Sequence, residues 1–261
     1  MIHFLFPKDL LTPREPDRVF ADQFHTLAEV GISVSLFSSD SLSERSLRLS
    51  IPANSKVVYR GWMLKPREYA ALEATITQSG GQPFTTVQQY LNAHYLPNWY
   101  PHISDLTPET RIYPANAPIE AELRMLNWGA YFIKDYVKSL KTARGAIVRD
   151  PVEAPALLAE MAEYRGEIEG GICVRRVEEF ALNSEQRYFV INGKAYSADE
   201  NAGIPMLVET CAEKVPSNFF SVDIARRSDG VLRVVEIGDG QVSDIVGWTA
   251  NSFARMWASV S

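Results

Sequence analysis

Cysteine is almost missing from this chain: 261 residues hold two, Cys173 and Cys211. Two cysteines cannot build a disulfide framework, and a reducing, cytoplasmic setting is the expectation. Four histidines (His3, His25, His94, His102) stand singly, without the spacing of a zinc site. No stretch approaches the roughly 18 consecutive apolar residues a membrane helix needs. The apolar start Ile2 to Phe6 is cut short by Pro7, Lys8 and Asp9 with no basic segment before it, so it reads as a first strand and not as a secretory signal. No Lys/Arg run exceeds a dipeptide, and 26 basic against 32 acidic side chains give a net charge of −6. That balance argues against a protein whose affinity comes from neutralising nucleic-acid phosphates, while leaving room for a local basic site. Gly-x-x-x-x-Gly-Lys-Ser/Thr, Gly-x-Gly-x-x-Gly and Gly-x-Ser-x-Gly are all missing, which disfavours the common P-loop, dinucleotide-binding and serine-hydrolase readings. Internal repeats and low-complexity segments are missing too. What is present is 46 % apolar and 11 % aromatic residues, enough for a substantial core in one large domain or two small ones.

The first hundred residues alternate strand and helix signals. Ile2 to Phe6 is strand-like, and Val19, Phe20, Phe24, Leu27 and Val30 fall at helical spacing before Gly31. Ile32, Val34 and Leu36 alternate with serines, Lys56 to Tyr59 is a further short strand, and Pro66 opens a helix that Gly80 and Gly81 end. This order predicts a three-layer α/β unit. Prolines at 97, 101, 108, 114 and 118 predict an irregular segment and a domain seam. Beyond it the pattern predicts a helix over 119–128, strands over 130–134 and 146–149, a helix over 152–164 and a strand over 171–177. The last third reads as an antiparallel sheet, with one hairpin turning at Asn192-Gly193 and a second joining Phe219–Arg227 to Val231–Ile237 through Asp229-Gly230.

The second hairpin carries the chemistry. A two-residue turn at Asp229-Gly230 sets Asp223 opposite Glu236, and Arg226 opposite Arg233. Facing carboxylates repel unless a cation lies between them. Oxygen from one or two carboxylates is what Mg2+ takes when phosphate supplies the rest. Each acid interrupts a strongly apolar run, which weakens plain solvent exposure as the explanation. Gly238-Asp239-Gly240 follows at once, and Asp239 offers a third oxygen ligand. Lys134 ends an apolar strand whose Ala130 and Phe132 share its face, and Lys138 and Lys141 follow in a loop before Gly145. A fixed lysine beside a lysine-bearing loop can clamp a polyphosphate. Arg60 closes the strand Val57 to Tyr59, at the end where open α/β sheets collect ligands, and could hold a carboxylate or phosphate by two parallel hydrogen bonds.

In this order, a strand lysine, a lysine loop, a helix, a strand Ile172-Cys173-Val174-Arg175-Arg176-Val177 followed by Glu178 and Glu179, then an Asp and a Glu on neighbouring antiparallel strands resemble the ATP-grasp superfamily over about residues 118 to 245. Tyr59-Arg60-Gly61-Trp62-Met63-Leu64, Phe132-Ile133-Lys134-Asp135-Tyr136-Val137-Lys138 and Glu236-Ile237-Gly238-Asp239-Gly240-Gln241 look more narrowly like the phage and bacterial clade distinguished by one arginine and two lysines. The resemblance implies a small N-terminal α/β domain (residues 1–105) and a two-subdomain ATP-grasp unit (106–261), with a phosphate-clamping part over about 118–174 and a metal-binding antiparallel part over 175–261. It also implies that Lys134 and one of Lys138 and Lys141 contact ATP phosphates. Arg175 to Glu179 would form the adenine hinge, with backbone at Arg176 and Val177 pairing with the base and Glu178 or Glu179 on the ribose. Arg187 would lie near the phosphates, and Asp223 and Glu236 would bind Mg2+. The family usually carries Asn two residues after the metal-binding Glu. Here Gly238 stands in that place, so either Asp239 substitutes or the metal is held more weakly.

The activity implied is that of an ATP- and Mg2+-dependent carboxylate–amine ligase. A small-molecule or peptide carboxylate would attack the γ-phosphate to give an acylphosphate, which an amine or similar nucleophile displaces. Arg60 and Lys134 are the residues expected at the reacting groups, with loop 135–145 closing over the nucleotide. A homodimer is the default assembly. The competing readings are a non-catalytic nucleotide-binding interaction protein and, disfavoured by the charge, a ligase of nucleic-acid ends.

Overall fold

The structure is a computed structural model and describes residues 1–38, 49–139 and 145–260. Its first sheet is parallel, in the order β2 (Ser33–Phe37), β1 (Ile2–Pro7), β3 (Lys56–Tyr59), β4 (Gln82–Pro83). Every residue of β1 is buried, as expected of a central parallel strand covered on both faces, which is why its sequence runs apolar without alternation. Phe4, Phe6 and Val58 meet Leu27 of α1 (Ala21–Glu29) and Phe253 and Trp257 of α8 (Ala250–Ala258) on one face. Leu5, Val57 and Tyr59 meet Leu72 and Ile76 of α2 (Pro66–Gln78) and Tyr90 of α3 (Val87–His94) on the other.

Two antiparallel sheets follow. One runs β5 (Thr110–Tyr113), β8 (Ile172–Arg176), β6 (Tyr131–Asp135), β7 (Ile147–Val148), and α5 (Ile119–Leu126) and α6 (Ala154–Arg165) pack on Tyr131, Ile133, Ile172 and Val174. The other runs β10 (Lys194–Tyr196), β9 (Gln186–Ile191), β11 (Phe219–Arg226), β12 (Leu232–Asp239). Its Phe189 and Phe219 share the core of the parallel sheet, while Phe220, Val222 and Ile224 face α4 (Leu96–Ile103) and α7 (Met206–Lys214). No described helix is long and apolar enough to cross a membrane.

The expected order of elements is present, with two corrections. The proline-rich segment is not irregular: α4 starts with Pro97 in its first turn, where the missing N–H costs nothing, and β5 forms beyond Pro108. The second hairpin turns through three residues, Ser228 to Gly230, because Arg227 N donates to Val231 O at 2.8 Å and Gly230 takes φ +91°. Arg226 therefore faces Leu232, and Ala225 faces Arg233, so the expected Arg226–Arg233 opposition is relieved. The first hairpin follows its Asn-Gly signal, with Ile191 opposite Lys194 and φ of 50° and 78° at Asn192 and Gly193.

Candidate active site

A three-residue turn by itself would move Glu236 off Asp223. A β-bulge restores the register: Ile224 pairs with Val234, but Asp223 pairs with Glu236, leaving Val235 as the extra residue. Val234 and Ile237, three apart, both enter the core beneath the sheet, and Glu236 turns to the other face with Asp223. Each carboxylate has a cation. Arg187 of β9, directly across from Asp223, donates through Nε to Oδ1 at 2.7 Å and through Nη2 to Oδ2 at 2.5 Å. Lys134 Nζ, from the neighbouring sheet, donates to Glu236 Oε1 at 2.7 Å.

Burial pushes the Asp223 carboxyl above the usual carboxylate range, the Arg187 guanidinium notwithstanding, and Glu236 adds to the rise. Partial burial pushes Glu236 the same way, but there Lys134, Arg175 and Arg187 outweigh it and the group titrates below its ordinary value. Two facing carboxylates with different affinities for protons, each held by a cation, can exchange those cations for a metal and its phosphate ligands. Among the described residues no group of three or more His, Cys, Asp or Glu side chains could hold a metal on its own. A two-carboxylate donor set fits Mg2+ that arrives with a polyphosphate, which completes its oxygen shell.

A cavity of about 770 Å3 opens between the two antiparallel sheets. Phe132 and Lys134 line one side, Arg175 to Glu178 another, and Val235 and Glu236 a third. Arg176 N donates to Glu109 O at 2.8 Å, and both Glu178 oxygens accept from Arg233, at 3.0 and 3.1 Å. Glu179 is exposed. Lys138 is exposed on the loop after β6, where Asp135 Oδ1 accepts from its backbone N at 2.6 Å, and Lys141 lies outside the described residues.

Two expected site residues are placed elsewhere. Arg60 has no exposed surface: Nε donates to Gln23 at 2.7 Å, and Nη1 to the carbonyls of Gly240, Gln241 and Ser243. It holds the turn after β12, lines neither the 770 Å3 cavity nor the neighbouring one lined by Asp223, and keeps a buried Nη2 with no hydrogen-bond partner among the described residues. Asp239 also has no exposed surface, and its Oδ1 accepts from the Gln241 backbone at 3.0 Å. It pairs with Phe220, on the core side of the sheet, so it does not join Asp223 and Glu236; burial raises its carboxyl to about 8. Gly238 does share their face. A Cβ there would come 2.7 Å from Ser243 Oγ and 3.1 Å from Ser221 Oγ, and these two hydroxyls lie 2.8 Å apart. Glycine is needed because serines from the next strand and the next turn fill the space. That contact is between residues 22 apart in sequence, and no local signal announces it.

Several solved structures share this shape. A RimK domain protein ATP-grasp from Sphaerobacter thermophilus matches at TM-score 0.64 and 16 % identity over 98 % of each chain. The D-cycloserine synthetase DcsG matches at 0.63 and 16 %, over 100 % of this chain and 99 % of the other. A D-alanine–D-alanine ligase from Bacillus anthracis, complexed with ATP, matches at 0.63 and 11 %, over 99 % and 92 %. Curated protein sequences give no significant match. The model for the third ATP-grasp domain family of the clade named for one arginine and two lysines matches residues 123–260. That is more than half of the chain, and it takes in all of the strands that carry Lys134, Arg187, Asp223 and Glu236. The chain belongs to the ATP-grasp superfamily, in the third family of that arginine-and-two-lysine clade.

Proposed function

We propose that the protein is an ATP- and Mg2+-dependent ligase that activates a carboxylate as an acylphosphate and joins it to an amine or similar nucleophile, with amino acids or peptides as the substrate class. One observation carries this reading: Lys134 and Glu236 line a 770 Å3 cleft together with the segment Arg175 to Glu178, and Asp223, opposite Glu236, lines a second cavity of about 660 Å3 that Glu236 also touches. The neighbours named for D-cycloserine and D-alanine chemistry support the substrate class.

In this reading the adenine lies against the backbone of Arg176 and Val177. Glu178 receives the ribose hydroxyls with the oxygen lone pairs that Arg233 leaves open. Lys134 turns from Glu236 to the phosphates, and Lys138 or Lys141 joins it from the loop. Asp223 and Glu236 hold Mg2+, which when bound neutralises phosphate oxygens and aligns the transferred group. Arg187, positioned over Asp223, faces that second cavity of about 660 Å3. A guanidinium there can steady the substrate carboxylate as it approaches the γ-phosphate. Arg60 enters as the group that fixes the turn 240–243 under the site. The chain's contribution is alignment and charge matching, and no protein nucleophile is required.

The test is a screen for ADP formation with amino acids and short peptides in pairs, with products identified by mass spectrometry. A mass gain equal to condensation of two substrates supports the ligase. ATP binding without ADP release in any mixture would favour a non-catalytic nucleotide-binding protein.

A further inference from the structure

The bulge that turns Glu236 toward Asp223 is not closed by the sheet's own ladder. β12 is the edge strand of its sheet and carries an extra residue at Val235, so backbone groups here lack cross-strand partners, and three of them find partners outside the sheet. Val234 N donates to Leu106 O at 2.9 Å. Val234 O accepts from Thr107 Oγ at 2.7 Å. Val235 O accepts from Arg175 Nη1 at 2.5 Å, and Arg175 Nη2 donates in turn to Thr107 Oγ at 2.6 Å. Arg175 is buried, with the Trp99 ring 6.0 Å from its guanidinium carbon, so its fork is fixed in place.

Parity makes this consequential. On β11, Val222 and Ile224 enter the core, and Asp223 between them points to the cleft face. On β12 without the extra residue, Glu236 would fall on the same face as Val234, which is fully buried in that core. The bulge is what brings a carboxylate to the cleft side, and Arg175 satisfies the Val235 carbonyl of the extra residue. We propose that Arg175 is a positioning residue: its guanidinium holds the Val235 carbonyl and so keeps Glu236 aimed beside Asp223 for Mg2+. This rests on the metal role proposed above for Glu236. It also gives the strand that leads into the adenine hinge a direct mechanical link to the metal carboxylate.

The experiment is calorimetric titration of a non-hydrolysable ATP analogue, with Mg2+ varied and with EDTA, on wild type, Arg175→Met, Arg175→Lys, Thr107→Val and Glu236→Gln. In Arg175→Met the Mg2+ affinity of the nucleotide-loaded protein should fall about tenfold, the scale of losing a group that orients a metal ligand. Arg175→Lys, which keeps one donor, should recover part of the loss, Thr107→Val should show a smaller one, and in each variant the loss in Mg2+ affinity should exceed any change of nucleotide affinity in EDTA. A folded Arg175→Met with wild-type Mg2+ affinity overturns the proposal, as does an equal loss with and without Mg2+, which marks packing alone. If Arg175→Met fails to fold, Arg175→Lys and Thr107→Val carry the same comparison. Glu236→Gln separates the two ideas: if it loses Mg2+ affinity while the Arg175 variants keep theirs, only the positioning role fails, and if it too is unchanged, the metal role fails.

Discussion

Lys134 Nζ lies 2.7 Å from Glu236 Oε1, an ion pair between strands of two different sheets, 102 residues apart in the chain. Together with Arg187 on Asp223 it makes a row of charge in which two adjacent carboxylates stand between two cations. In the proposed function, binding MgATP exchanges protein cations on the carboxylates for a metal and releases Lys134 to the phosphates, so one side chain couples the two sheets with or without nucleotide.

Lys134→Met breaks that coupling. The Glu236 side chain is 46 % exposed, so the pair is only partly desolvated and its loss should cost about 1–2 kcal/mol, between surface and buried values. Urea unfolding measures this, and the same variant should lose most of its ATP affinity.

Asp223→Asn is costlier. Arg187 and Asp223 are 17 % and 5 % exposed, and the bidentate pair leaves a largely enclosed guanidinium when one carboxylate oxygen is replaced by an NH2 group. A loss of about 2–4 kcal/mol is expected in urea unfolding. Arg187→Met combined with Asp223→Asn should recover part of it, since neither charge then remains.

Much of this is legible in the sequence and some is not. The parallel sheet follows from the alternation of strand and helix signals over the first hundred residues, and the first hairpin from Asn192-Gly193. A two-residue turn predicts the opposition of Asp223 and Glu236, but it arises from a three-residue turn plus a bulge, two shifts of register that cancel. Turn length is read locally, whereas the bulge is held by Arg175 and Thr107, far away in the chain. Helix α3 is marked by the capping box of Thr86 and Gln89, and α8 both by Thr249 with Ser252 at its start and by Phe253, Met256 and Trp257 at helical spacing. Its place at a strand end makes Arg60 look like a substrate ligand. Its burial depends on the turn 240–243 folding over it, which no local pattern reports.

Asp239 makes stability depend on pH. Its folded carboxyl sits at about 8, against about 4 for an unfolded aspartate, so the folded state keeps a proton that the unfolded chain releases. Stability from this group is therefore full below pH 4 and declines as pH rises through 8, by at most about 1.4 kcal/mol per unit. Asp239→Asn removes the titration with little change of shape. It should flatten the profile and be more stable than wild type at about pH 9; parallel profiles would place the charge elsewhere.

Gly238→Ala pushes a methyl against Ser243 Oγ and Ser221 Oγ. A loss of about 1–2 kcal/mol in thermal or urea unfolding is expected, the cost of overpacking beside side chains that can partly yield. Ser243→Gly in the same chain should relieve it.

The metal role of Asp223 and Glu236 is tested most directly by titrating wild type, Asp223→Asn and Glu236→Gln with ATP in Mg2+ and in EDTA, at a pH where all three are folded. The predicted result is tighter ATP binding with Mg2+ in wild type and loss of that gain in both variants, the EDTA affinity being retained in Glu236→Gln. An undiminished Mg2+ gain in both variants would contradict it.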